Sequence, residues 1–166
     1  MKTLILGLGN PILTDDGIGV LVAESVRSML PSKTGIDVAE ASVGGLTLME
    51  SMVGYDRVIL IDAIHGRDQK PGCILRMTLA ELRALSPTQH TASPHDANLV
   101  TAIELGRKMG LQLPENIVIF AIGVENIFEF GDRPSPTVAA AIPLATEAVL
   151  REINHNDEEA LWSHLN

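Results

Sequence analysis

Two adjacent carboxylates, Asp15 and Asp16, stand where an apolar run gives way to a helical pattern. The stretch reads Leu-Ile-Leu-Gly-Leu-Gly-Asn-Pro-Ile-Leu-Thr-Asp-Asp-Gly-Ile-Gly over residues 4–19. A strand that runs through a Gly-x-Gly turn into a helix is a common setting for phosphate, which bare backbone amides hold. Carboxylates at that turn repel phosphate and attract a cation. A third acid, Asp62, ends the run Val-Ile-Leu-Ile at 58–61, and an imidazole, His95, lies in Ser-Pro-His-Asp at 93–96. In the first turn of a helix the dipole disfavours imidazolium, which leaves a neutral ring able to ligate. Two carboxylates and one imidazole suit zinc, nickel or another divalent ion, with positions left open for substrate.

Each residue also has a plainer role. Asp15 reads as a cap of the helix that follows it, which leaves Asp16 as the ligand of the pair. Asp62 is either a ligand or a carboxylate that closes a loop on its own backbone. His95 is either a ligand or a polar residue at a helix start. His65 and His90 fall in loops, and His155 and His164 in the tail. Other chemistries lack their residues. Gly7-Leu8-Gly9 is not followed by the third glycine of a dinucleotide turn, because Ile12 stands there. No G-x-S-x-G elbow occurs. Cys73 is the only cysteine, which excludes an internal disulfide and a cysteine-based zinc site. It falls in an expected strand, where a thiol serves as packing.

These residues need elements to hold them. The apolar runs predict strands at 2–8, 35–41, 57–62, 72–78 and 116–123. Leu4–Leu8, Val58–Ile61 and Ile117–Ile122 are almost wholly apolar, as in strands covered on both faces. Helical spacing appears from Ile18 to Met29, from Gly45 through Met52, from Ser93 to Gly110, and over about 136–153, where Pro143 marks a kink or a second start. Strands alternating with helices predict an α/β fold, a three-layer α/β/α sandwich with a mainly parallel twisted sheet of about five strands. Asp16 and Asp62 then lie at carboxyl ends of strands, the edge where open α/β sheets bind ligands. Loops 63–72 and 124–135 are long enough to shape a site. Residues 1–166 read as one domain, with 154–166 a polar, loosely held tail.

Composition narrows the partners. The chain has 166 residues, 46% of them hydrophobic, and a net charge of −9. It has no basic stripe, and that acidity argues against nucleic acid. No apolar run nears the roughly 20 residues that span a bilayer. The opening apolar run is broken by Gly7 and Gly9 and is followed by no small-residue cleavage pattern. A cytoplasmic protein with no membrane partner is expected.

Taken together, these residues resemble the endopeptidases that mature nickel–iron hydrogenases. The resemblance covers roughly residues 2–153 and is carried by Gly-Leu-Gly-Asn-x-x-x-x-Asp-Asp-Gly-Ile-Gly at 7–19, Ile-Asp-Ala at 61–63 and Ser-Pro-His at 93–95. It implies one mainly parallel sheet flanked by helices. It also implies removal of a C-terminal tail from a hydrogenase large-subunit precursor after nickel insertion. The metal contacts it implies fall on Asp16, Asp62 and His95, with nickel supplied by the precursor and zinc or cadmium able to take the same place. Many members carry Glu where Asp16 stands, and a shorter carboxylate must sit closer to its ion. Many also carry Asp-Gly-Gly-Thr, a substrate-reading stretch, where this chain has Ala41-Ser42-Val43-Gly44-Gly45; Gly44 and Gly45 are the substrate-binding candidates. Peptidyl-tRNA hydrolase also opens with a strand and Gly-Leu-Gly-Asn-Pro, but it needs an early histidine and a basic face, and the first histidine here is His65. A non-proteolytic, nickel-sensing assembly chaperone is the other alternative.

Overall fold

A computed structural model describes residues 1–31, 35–42, 44–66, 69–85 and 96–163, with the side chains of 85, 96–98 and 155–163 left aside. Its elements are β1 (Thr3–Leu8), α1 (Ile18–Met29), β2 (Ile36–Ala41), α2 (Gly45–Ser51), β3 (Arg57–Ile64), β4 (Ile74–Thr78), α3 (Leu79–Leu85), α4 (Asp96–Lys108), β5 (Asn116–Gly123), α5 (Pro136–Ala139) and α6 (Ile142–Ser163). The five strands form one sheet in the order β2-β1-β3-β5-β4. The first four in that order are parallel, and the edge strand β4 is antiparallel to β5.

β1 and β3 are buried along their whole length, as expected of apolar strands in a sheet with both faces covered. Alternation sends Leu4, Leu6, Val58 and Leu60 to one face, where they pack with α2, α3 and α4 through Leu48, Met52, Leu82, Leu99 and Ile103. Ile5, Ile59 and Ile61 go to the other face, against Val22 and Val26 of α1 and Ala145 and Val149 of α6. The result is the expected α/β/α sandwich. Among the described residues no helix is long and apolar enough to cross a membrane.

Several elements depart from expectation. β3 continues past Asp62 to Ile64, because Ala63 and Ile64 are also apolar and buried. Cys73 lies just ahead of β4, half-buried, with its Sγ 3.8 Å from Gln69 Oε1. The pattern over 136–153 is two helices, and Pro143 sits in the first turn of α6, where a missing N–H costs nothing. α6 then runs on to Ser163, so most of the expected polar tail is helical. α3 was not expected. It opens on a capping box in which Thr78 Oγ1 accepts from the Glu81 N–H (3.2 Å) and Glu81 Oε2 accepts from the Thr78 N–H (2.7 Å). The bonds that Glu81 Oε2 accepts from the Thr78 N–H and the Thr78 hydroxyl hold the Glu81 carboxyl below its usual range.

At the amino edge of the sheet, Arg57 is buried at 1% exposure and donates to Glu152 of α6, which also accepts two bonds from Arg76 of β4. The Arg76 hydrogen bonds, with the Arg57 charge beside them, lower the Glu152 carboxyl against the opposing effect of burial. A depressed folded value means that the pair stabilises above the ordinary carboxylate pKa of about 4.3 and stops stabilising as pH falls through the lower folded value. Glu152→Gln is expected to cost about 3 kcal/mol near neutral pH, the low end for breaking a buried pair, because the Glu152 carbonyl still accepts from Arg57. Thermal melts of both proteins from pH 7 down to pH 3 should therefore converge at the acid end. A constant difference across that range would contradict the assignment.

Candidate active site

The strand order reverses between β1 and β3. The chain steps outward from β1 to β2, then crosses back to place β3 on the other side. At such a switch point the carboxyl ends leave a crevice, the usual ligand site of an open α/β sheet. Asp16 follows β1 into this crevice, and Asp62 lies near the carboxyl end of β3, in register with Ala121 of β5.

The glycines of the 7–19 motif set the turn. A Cβ at Gly19 would collide with the carbonyl oxygens of Leu8 and Ile61, so the first turn of α1 rests directly on β1 and β3. Gly9 has φ 131°, and a Cβ there would meet the Asp16 carbonyl. The chain thus folds back on itself tightly enough for Asp16 Oδ2 to accept from the Asn10 N–H at 2.7 Å. Asn10 Oδ1 in turn accepts from the Ile12 N–H at 3.2 Å, an Asx turn. Asp16 is half-buried. Asp62 is buried, with Oδ1 accepting from the Ala63 N–H at 2.8 Å. The bond is to its own backbone, as one of its two expected roles has it, but it is made within β3 and closes no loop. Alternation places Asp62 on the face it shares with Leu60 and Ile64, the face covered by α4.

α4 leads through a short connection into the amino end of β5, so its own start, Asp96, lies toward the carboxyl edge. His95 precedes Asp96 in sequence and lies outside the described residues. Among the described residues no group of three or more His, Cys, Asp or Glu side chains forms a metal-holding cluster. Gly44 and Gly45 reach the same edge by way of β2, whose last residue, Ala41, accepts from the Gly9 N–H at 3.1 Å. Gly45 has φ 62° and opens α2.

Asp15 is not a helix cap. The N-cap of α1 is Gly17, with no side-chain cap bond, and Asp15 is fully buried. Its Oδ2 accepts from the N–H groups of Asn126 (2.9 Å) and Glu125 (3.3 Å) and from Ser135 Oγ (3.1 Å), while Oδ1 accepts from the Ser135 N–H (2.6 Å). The carboxylate therefore staples the loop between β5 and α5 to the Asp16 turn. Main-chain contacts reinforce it, with Leu13 bridged to Phe130 and the Thr14 N–H and Oγ1 both donating to the Glu129 carbonyl at 2.9 Å. This loop also carries two exposed phenylalanines that sequence reasoning passed over. The available signal was two aromatics among acids in a loop, in a chain with only three phenylalanines.

Comparison with known proteins agrees with this architecture. Residues 20–152 match the family model described as hydrogenase maturation protease. The hydrogenase 2 maturation protease of Escherichia coli is 29% identical over 161 residues, covering 97% of this chain and 96% of that protein. The solved structure of the hydrogenase maturating endopeptidase HybD from Escherichia coli superposes with a TM-score of 0.80 at 29% identity, over 94% of both chains. A [NiFe] hydrogenase maturation protease from Thermococcus kodakarensis, at 24% identity and a TM-score of 0.69 over 91% of this chain and 98% of that one, shares the fold. The family match opens directly after Gly19, so the place of the Asp15-Asp16 turn in the site rests on the geometry above. The chain belongs to the hydrogenase maturation protease family and is a peptidase.

Proposed function

We propose that this peptidase removes the C-terminal tail of a nickel–iron hydrogenase large-subunit precursor after nickel insertion, in the cytoplasm, and that it recognises the nickel the precursor carries. The observation that supports the reading most is that Asp16, in the turn after β1, and Asp62, near the carboxyl end of β3, come from the two strands that flank the switch point, in a chain of this family. Asp16 and Asp62 supply oxygen donors, and His95, one residue ahead of α4, supplies the nitrogen. That set suits nickel, and zinc or cadmium would fit it too. The ion is part of the substrate. Asp16, Asp62 and His95 would hold it together with the precursor's own ligands, and the ion would there supply Lewis-acid chemistry, polarising the scissile carbonyl or activating water. Gly44 and Gly45 are the residues of the second loop that read the precursor, since bare backbone permits close approach of another chain.

The reading needs no covalent nucleophile. Cys73 is half-buried and precedes the edge strand, and no base lies within hydrogen-bond reach of it among the contacts described. Cys73→Ala is therefore expected to process precursor at the wild-type rate, and thiol reagents should not inhibit. A variant slowed more than tenfold would reinstate the thiol. The activity itself is tested by incubating purified protein with nickel-loaded precursor and weighing the product by mass spectrometry. Loss of a short C-terminal peptide is expected, and binding without cleavage would contradict the reading.

A further inference from the structure

The loop between β5 and α5 exposes apolar surface beside the crevice. Phe128 and Phe130 are 79% and 80% exposed, and Ile12, in the facing loop after β1, is 58% exposed. Exposed aromatics are costly to leave in water and mark contact surfaces when they gather. The two loops that carry them are held together. The Leu13–Phe130 bridge, the Thr14–Glu129 bonds and the Gly131 N–H donating to the Ile12 carbonyl (3.1 Å) tie the two loops together. The Asp15 staple anchors the same loop to the residue next to Asp16. His65, from the end of β3, meets Phe128 edge-on at 6.2 Å. The charges between the aromatics are mainly acidic, with Glu125, Glu129 and Asp132 against Arg133.

We propose that Phe128, Phe130 and Ile12 form the seat for a stretch of the precursor polypeptide bearing apolar and basic side chains, adjoining the bond to be cut. The inference rests on the proposed function and deepens it. Two observations select this occupant. The Asp15 bonds and the Leu13–Phe130 bridge tie the loop that carries the patch to the turn that carries Asp16, so a chain lying on it has a short path to the crevice. Its acidic surroundings complement basic residues, and would repel a second copy of this chain, whose net charge is −9.

The test compares wild type, the double variant Phe128→Ser/Phe130→Ser, the conservative Phe128→Leu/Phe130→Leu and Ile12→Ser. Cleavage of nickel-loaded precursor and its binding at equilibrium are both measured. The serine pair is expected to raise KM and Kd at least tenfold with under threefold change in kcat, and the leucine pair to restore most of the loss. Ile12→Ser should raise KM several-fold without touching the aromatic loop. Rising salt should weaken wild-type binding. Unchanged KM and Kd in the serine pair would overturn the proposal, as would a shift of the wild type from dimer to monomer in that variant, which would make a second copy the occupant. Wild type that binds precursor through these residues without cutting it would contradict the proposed function and leave the seat standing.

Discussion

Asp16→Ala is expected to lose maturation activity by more than about 100-fold, because even residues that only support a metal ligand cost 10–100-fold when removed. The fold should barely register the change. Asp16 is half-buried and accepts from the Asn10 N–H, a bond worth about 1 kcal/mol at a partly exposed position. In a chain of this size that is a fall of roughly 2–4 °C in melting temperature. His95→Ala should show the same pattern of lost cleavage with intact folding. Asp62→Ala should lose activity and stability together, since Asp62 is buried inside β3 and holds the Ala63 N–H. Precursor cleavage and thermal melting, measured on the same preparations, separate the three. An Asp16→Ala protein that cuts at the normal rate would remove this residue from the site.

The neighbouring acid should behave in the opposite way. Asp15→Ala leaves the N–H groups of Glu125, Asn126 and Ser135 without their common acceptor. An unsatisfied buried donor costs about 1–3 kcal/mol, and these three are part-buried, so together they are expected to cost about 3 kcal/mol. That corresponds to a fall of roughly 6–12 °C in melting temperature. Cleavage between residues 124 and 135 by a broad-specificity protease should accelerate as the loop comes loose. Asp15→Asn should recover only part of the loss, because its carbonyl oxygen can accept on one side while its NH2 faces a donor on the other. A melting temperature unchanged in Asp15→Ala would contradict the staple.

The contrast between these two acids shows where the sequence stops being readable. Asp15 and Asp16 are chemically identical neighbours, and the partners that separate their roles lie 110–120 residues away for Asp15 and six for Asp16. No local pattern reports the distant ones. The strands were legible because Leu4–Leu8 and Val58–Ile61 are continuous apolar runs, which only a doubly covered sheet accommodates. Asp62 looked like a strand end because it is charged, yet its carboxylate bonds to the next residue's amide and β3 continues to Ile64. α3 was legible and overlooked, since Thr78-x-x-Glu81 is the pattern of a capping box. The seat on Phe128 and Phe130 was half legible. Two aromatics among acids could be seen, but the pairing of their loop with the one after β1, which carries Ile12, could not.

The central claim is that metal in the substrate, bridged to Asp16, Asp62 and His95, licenses the cut. It is tested most directly by presenting one purified precursor in two forms, nickel-loaded and metal-free with a strong chelator, to the same enzyme preparation, and following release of the C-terminal peptide by mass spectrometry. The account predicts complete release from the nickel-loaded form and none from the metal-free form over the same interval. Efficient cleavage of the metal-free precursor in the presence of chelator would contradict it.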